Sequence, residues 1–342
     1  MKDFRLSFAV TAICLIAAYF WGGTTALFIA LVLGVMEVSL SFDNAVVNAT
    51  VLQDMDAKWQ RRFLTWGILI AVFGMRLLFP IVVVAVVANL GAFEVARLAL
   101  QQPLEYSHHL EQSHVAISAF GGMFLLLVFL NFILDAEKDT HWFRWLESKL
   151  SLLGKVSAIQ VIIAGGTLLA LQYALPPALR LEAVIAGLVG ILLYLLIDGL
   201  SGLTATSEEG EAIAKTVKRS GVMAFLYLEV LDASFSFDGV IGAFAITKDV
   251  VIITTGLTIG AMFVRSFTIY LVRKGTLKQF VFLEHGAHYG IGALALLMLA
   301  STALPISEVI TGLIGVTFIL AALGSSVLHK KAEEAPVLDA VA

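Results

Sequence analysis

Ten stretches of this chain are apolar over, or nearly over, the length that a helix needs to cross about 30 Å of hydrocarbon. They cover approximately residues 6–21, 25–51, 63–88, 115–134, 157–175, 181–200, 221–247, 250–272, 287–304 and 308–328, the first and fifth being short for full spans. Composition agrees. Only 14% of the 342 residues are charged and 59% are hydrophobic, with a mean hydropathy of +0.94, whereas a soluble domain is about a quarter charged. The expected fold class is therefore an all-α polytopic membrane protein of about ten transmembrane helices. The stretch from Met1 to Trp21 resembles a signal peptide, but no small-residue cleavage site ends it, and it reads as a retained first span.

Charge in the intervening segments sets the expected topology, because cytoplasmic loops collect Lys and Arg. Of the 22 basic residues, seventeen fall in alternate segments beginning with the N-terminus, and three (Arg97, Arg180 and Lys248) fall in the others. That asymmetry predicts both termini in the cytoplasm. The remaining two, Arg76 and Arg265, lie inside spans. With the basic residues scattered between apolar runs and a net charge of −4, nothing points to a nucleic-acid partner. A single cysteine, Cys14, excludes an internal disulfide and a thiolate metal cage, so any metal must be held by oxygen or imidazole.

The acids inside the spans recur in a repeated phrase. "EVSLSFDNAV" from Glu37 and "DASFSFDGVI" from Asp232 align Glu37 with Asp232, Ser39 with Ser234, Ser41 with Ser236, Phe42 with Phe237 and Asp43 with Asp238. Further on, "GILIAVFGMR" (Gly67 to Arg76) matches "GLTIGAMFVR" (Gly256 to Arg265), each ending in an arginine nine residues after its glycine. Spans 1–5 (residues 1–178) thus correspond to spans 6–10 (residues 179–331), followed by a short tail at 332–342, expected to be disordered. Five is odd, so the second copy crosses in the opposite sense. This is the inverted-topology repeat of many secondary transporters, whose substrate site lies near the midplane where the copies meet.

Glu37 and Asp232 fall near the middle of their spans, with Asp43 and Asp238 about 9 Å further along in opposite directions. Glu229 adds a fifth acid one turn before Asp232. Residues six apart on a regular helix are turned by roughly 240°, so each phrase needs a break at Ser-Phe-Asp if both its acids are to face one site. Five isolated charges at the bilayer centre would cost on the order of 13 kcal/mol. Arg76 and Arg265 can balance two of them, either as structural ion pairs or as part of a site. The surplus of acid suits a hard divalent cation, with Ser41, Ser236, Asn44, Asn48, Ser39 and Ser234 as further oxygen donors.

The phrases at 37–44 and 232–238, each followed by a span carrying an arginine, resemble the TerC family of the LysE transporter superfamily, and within it a branch defined only as an integral membrane domain of unknown function. The resemblance is close over roughly residues 25–90 and 220–290. It implies export of a divalent metal, most often Mn²⁺, from the plasma membrane of a bacterium, with the paired acidic motifs as the ion site and an association with tellurium resistance. Gly239 departs from the Ser or Asn expected there. On this reading the metal set is Glu37, Asp43, Asn44, Glu229, Asp232, Asp238, Ser41 and Ser236, with no permanently bound cofactor and with protons exchanged for metal.

His114, His285 and His288, beside Glu111 and Glu284 near span ends, are candidates for passing protons, a solvated helix-end pair being the plainer reading. The stretch from His141 to Lys155 mixes aromatic and basic residues as an interfacial helix would, and 206–220 reads as a polar linker between the repeats. No catalytic motif is present, and an intramembrane aspartyl protease would need the Gly-x-Gly-Asp phrase that this chain lacks. The alternatives to a metal exporter are an exporter of a small organic solute such as an amino acid, and a membrane-assembly factor whose acids are structural.

Overall fold

The computed structural model describes residues 4–136, 138, 140–156, 158–204, 221–275 and 279–339, so the 206–220 linker lies outside it. The described residues form no strand. They make α1 (Arg5–Leu40), α2 (Phe42–Gln53), α3 (Ala57–Leu69), a π-helical segment (Ile70–Leu78), α4 (Phe79–Val87), α5 (Ala92–Gln101), α6 (Pro103–Gln112) and α7 (His114–Ile133). There follow α8 (Arg144–Leu153), α9 (Ile159–Ala174), α10 (Pro177–Thr204), α11 (Gly221–Ile246), α12 (Val250–Lys274), α13 (Leu283–Ser301) and α14 (Glu308–Asp339). Among the described residues six stretches, where about ten were expected, are long and apolar enough to cross a membrane: Arg5–Leu40, Ile70–Val87, His114–Ile133, Pro177–Leu200, Val250–Lys274 and Leu313–Lys330. The protein is an all-α polytopic membrane protein.

The 36 residues of α1 are not one rod. Ser7 Oγ donates to the Met262 carbonyl (2.7 Å) and Trp21 Nε1 to Asp249 Oδ2 (2.9 Å), so residues 5–21 run antiparallel to α12. Beyond the bend, Gly34 lies against Ile259, Glu37 against Gly260 and Phe42 against Phe267, so residues 24–40 run parallel to it. The chain reverses at Gly22 (φ −144°, ψ 22°) and Gly23 (φ 71°, ψ −157°). Gly23 adopts a conformation that is essentially restricted to glycine. Replacing it with alanine is expected to cost about 1–3 kcal/mol, read as a lower melting temperature of the detergent-solubilised protein.

Helix α7 is the centre of the bundle, buried along nearly its whole length and apolar all round, as a helix with no solvent or lipid face should be. Glycines let its neighbours close in: Gly122 receives Leu299 of α13, and Gly190 of α10 sits on the Phe120 carbonyl. A second apolar cluster joins α1, α4, α5, α6, α11 and α12. Helices α5 and α6 were not expected from hydropathy. Each buries one side, Val95 and Ala99 on α5, and Tyr106 and Leu110 on α6, where the Tyr106 ring meets Phe244. The expected interfacial helix is α8. The tail departs from the expectation of disorder in that helix α14 continues to Asp339.

Candidate functional site

Four elements carry the buried charges to one place. Ser41 (φ −106°, ψ 17°) interrupts the chain between α1 and α2, leaving Glu37 in the last turn of α1 and Asn44 in the first turn of α2. Arg76, from the π-helical segment, donates through Nη2 to Glu37 Oε1 at 2.6 Å and places Nη1 3.7 Å from Asp232 Oδ2 on α11. Asn44 Nδ2 donates to the other oxygen, Asp232 Oδ1, at 2.9 Å, and Ser41 Oγ to Glu37 Oε1 at 3.2 Å. All five residues are under one-tenth exposed. The halves of the chain are thus joined by one guanidinium and one carboxamide.

Glycine makes room for this arrangement. A Cβ at Gly239 would lie 2.5 Å from Glu37 Oε2, and one at Gly260 would fall on the Glu37 Cβ and Cγ. The departure at Gly239 therefore has a steric cause, since Ser or Asn there would displace the carboxylate. A second ionic group lies on the same face of α11, where Glu229 precedes Asp232 by three residues. Glu229 Oε1 and Arg265 Nη2 both press on Gly67, and the Arg265 guanidinium sits 4.1 Å above the Phe63 ring. Arg265 acts electrostatically on both Glu229 and Asp232.

Several oxygens in this region are buried without a hydrogen bond: Asn44 Oδ1, Asn48 Oδ1, Glu229 Oε1, Asp232 Oδ2 and Ser236 Oγ. Helical spacing puts the first two on one face of α2, and the other three on one face of α11. Such groups are costly in an interior unless a polar partner meets them. The resulting seam of oxygens extends about 10 Å along α11, from Glu229 to Ser236.

Other candidate residues fall elsewhere. Asp43 Oδ1 accepts from the Asn44 N–H (2.9 Å), while its Oδ2 faces Gly315 of α14, with Gly290 of α13 alongside, away from the arginines. Asp238 lies in α11, but its side chain is outside the described set. Ser39 is exposed and bonds back to the Val35 carbonyl. Among the described residues no three of His, Cys, Asp and Glu converge as a metal-holding group. The second break expected at Ser-Phe-Asp is not found, for α11 is helical from Gly221 to Ile246. Its Ser234 hydroxyl bonds back to the Val230 carbonyl, as the aligned Ser39 does to Val35 in α1, while Ser236, aligned with Ser41, leaves its hydroxyl without a hydrogen bond.

The histidines divide between the two ends of the bundle. His114 meets Ser118 (3.2 Å) and Ser301 (3.4 Å), and Glu111 pairs with Lys248 (3.8 Å) at that same end. His285 and His288 stand at the opposite end of α13, about 24 Å away at 1.5 Å per residue. There His285 Nε2 lies 2.9 Å from the Thr140 carbonyl, and His288 stacks on Phe132 while its Nδ1 approaches the Glu284 carbonyl. An ionic centre not foreseen from sequence joins them. Fully buried Glu147 of α8 pairs with Lys138 (2.7 Å), lies 3.5 Å from His285, and accepts from the Phe143 N–H and the Tyr289 hydroxyl.

A family model described as "Protein of unknown function (DUF475)" matches residues 42–333. The chain belongs to the DUF475 family. No curated protein and no solved structure matches it. The DUF475 match opens at Phe42, the first residue of α2, and takes in Arg76, Glu229, Asp232 and Arg265. Glu37 and the α1 hairpin lie ahead of it.

Proposed function

We propose that this DUF475 protein is a secondary transporter of the TerC type, exporting a hard divalent cation, with Mn²⁺ as the leading substrate. The observation that carries this reading is the seam of buried oxygens without hydrogen bonds between α2 and α11, those of Glu229 and Asp232 among them, with Glu37 alongside. Oxygen-only donors suit Mn²⁺, Mg²⁺ or Ca²⁺ over softer ions. The site's elements come from both halves of the sequence, so rocking one half against the other would expose it to each side in turn. Asp43, facing α13 and α14 without a basic partner among the described residues, is a second stop for the ion or a proton on the way out. On this reading the protein sits in a plasma membrane with its basic ends cytoplasmic, and is not an enzyme.

The test is Mn²⁺ uptake into proteoliposomes, with Ca²⁺ and Mg²⁺ as competitors. Flux in the wild type that falls at least about tenfold in Asp232→Asn and Asp43→Asn is expected, a loss of about 1.4 kcal/mol or more in the rate-limiting free energy. Undiminished flux in both variants, or none in the wild type, would remove the proposal. A second reading has its own observation: Arg76 Nε and Arg265 Nε and Nη2 are buried donors without hydrogen bonds. Donors and acceptors side by side would suit a zwitterion such as an amino acid, and efflux of a preloaded amino-acid mixture separates the two readings.

A further inference from the structure

We infer that Arg76 is a cation built into the site, one that holds the two carboxylates between loads and that the substrate ion must displace; the inference rests on the cation-transport reading above. The guanidinium lies between Glu37 and Asp232, 2.6 Å from one and 3.7 Å from the other. A divalent ion binds carboxylate oxygens at about 2.0–2.6 Å, so an ion that takes both acids has to stand where the guanidinium stands. Glu37 has little freedom to turn elsewhere, with Gly239 against its Oε2 and Gly260 against its Cβ and Cγ. Arg76 is therefore the group that moves.

Its backbone is suited to that movement. Arg76 is borne by nine residues of π-helix, and its Nη1 donates to the Ala71 carbonyl at 2.6 Å within the same segment. The winding persists to the end of the segment, where the Phe79 N–H bonds the Gly74 carbonyl five residues back. Such winding is rare, usually limited to a single turn, and concentrated at functional sites. Rewinding these residues to α geometry would turn Arg76 about the helix axis and draw it off Glu37 and Asp232. The exchange keeps the acids compensated in both states, by the arginine when the carrier returns empty and by the ion when it is loaded. Arg265, stacked on Phe63 beside Glu229, stays in place in both.

Removing the competitor should separate binding from turnover. In purified protein reconstituted in nanodiscs, Arg76→Gln is expected to bind Mn²⁺ at least about tenfold more tightly by titration calorimetry, because two carboxylates lose their resident cation. The same variant should transport at least about tenfold more slowly, since the unloaded site is left uncompensated. Arg76→Lys keeps the charge but cannot bridge two carboxylates in the same way, and should tighten binding about threefold with transport largely retained. A merely structural ion pair would weaken binding and transport together. Unchanged or weaker Mn²⁺ binding in Arg76→Lys, or in a folded Arg76→Gln, overturns the inference while leaving the transport reading intact. No Mn²⁺ binding in the wild type removes both.

Discussion

Replacing Gly260 with valine should destabilise the protein by about 3 kcal/mol or more and abolish cation binding. Helices α1 and α12 meet through small residues: Gly34 faces Ile259, and Gly256 faces Ala30 and Leu33. In a membrane such spacing brings backbones close and carries much of the packing energy between helices. One turn on, Gly260 receives not another small residue but the stem of Glu37, and a Cβ there would also come 3.1 Å from the Gly34 carbonyl. The carbonyl cannot move without shifting α1, and the carboxylate cannot swing aside because Gly239 closes its other flank. Valine therefore forces α1 away from α12, which carries Glu37 off Arg76 and leaves a buried guanidinium short of its nearest partner. Thermal unfolding in detergent, together with Mn²⁺ titration, checks the outcome. Gly165→Ala on α9, where an added Cβ meets nothing within 4 Å, is the control and should be neutral or gain up to about 1 kcal/mol. A Gly260→Val protein with native melting temperature and binding would show that the contact between Glu37 and α12 does not matter.

How much of this was legible follows from which interactions are local. The long apolar helices announced themselves because hydrophobicity over 20 residues is a local sum, and the reversal at Gly22–Gly23 lies between two of the expected spans. The intramembrane acids and arginines stood out for the same reason, since charge in an apolar run is rare and needs a partner. Which acid meets which arginine was not legible. Arg76 reaches across to Asp232, while Asp43, one residue from Asn44, turns its carboxylate toward α13 and α14. That divergence depends on the Ser41 break and on glycines at 290 and 315, far along the chain. The second phrase looked equally breakable, yet α11 runs through it as a continuous helix. The π-helical winding of 70–78 has no compositional signature. Helices α5 and α6 escaped because they are short and half-polar, so their stability comes from packing on α4, α7 and α11 and not from their own hydropathy.

Glu147 is the clearest case of a residue whose importance exists only in three dimensions, and removing its charge should be costly. On paper it is one acid in a mixed interfacial helix. In the fold it is 0% exposed and gathers the loop after α7, helix α8 and the start of α13 around one carboxylate. Burial by itself would push the Glu147 carboxyl up, but the Lys138 ammonium 2.7 Å away and the Phe143 N–H outweigh it and hold the group below its ordinary value of 4.5. A carboxyl depressed in the folded state adds stability that is fully present above 4.5 and is lost as pH falls through its lower, native value. Glu147→Gln keeps the shape and an acceptor oxygen but leaves Lys138, at 9% side-chain exposure, without its anion. Breaking one partner of a buried pair costs about 3 kcal/mol at neutral pH. Lys138→Met should cost a comparable amount, and the double variant should recover most of the loss, since neither buried charge is then stranded. The gap in melting temperature between wild type and Glu147→Gln should close as the solution is acidified below 4.5, where the wild-type carboxyl takes up its own proton. A gap that persists unchanged into strong acid, or a double variant as unstable as the sum of the singles, would mean that Glu147 acts by packing alone and that the loop is held to α13 by its aromatic contacts, Trp142 and Phe143 on Tyr289.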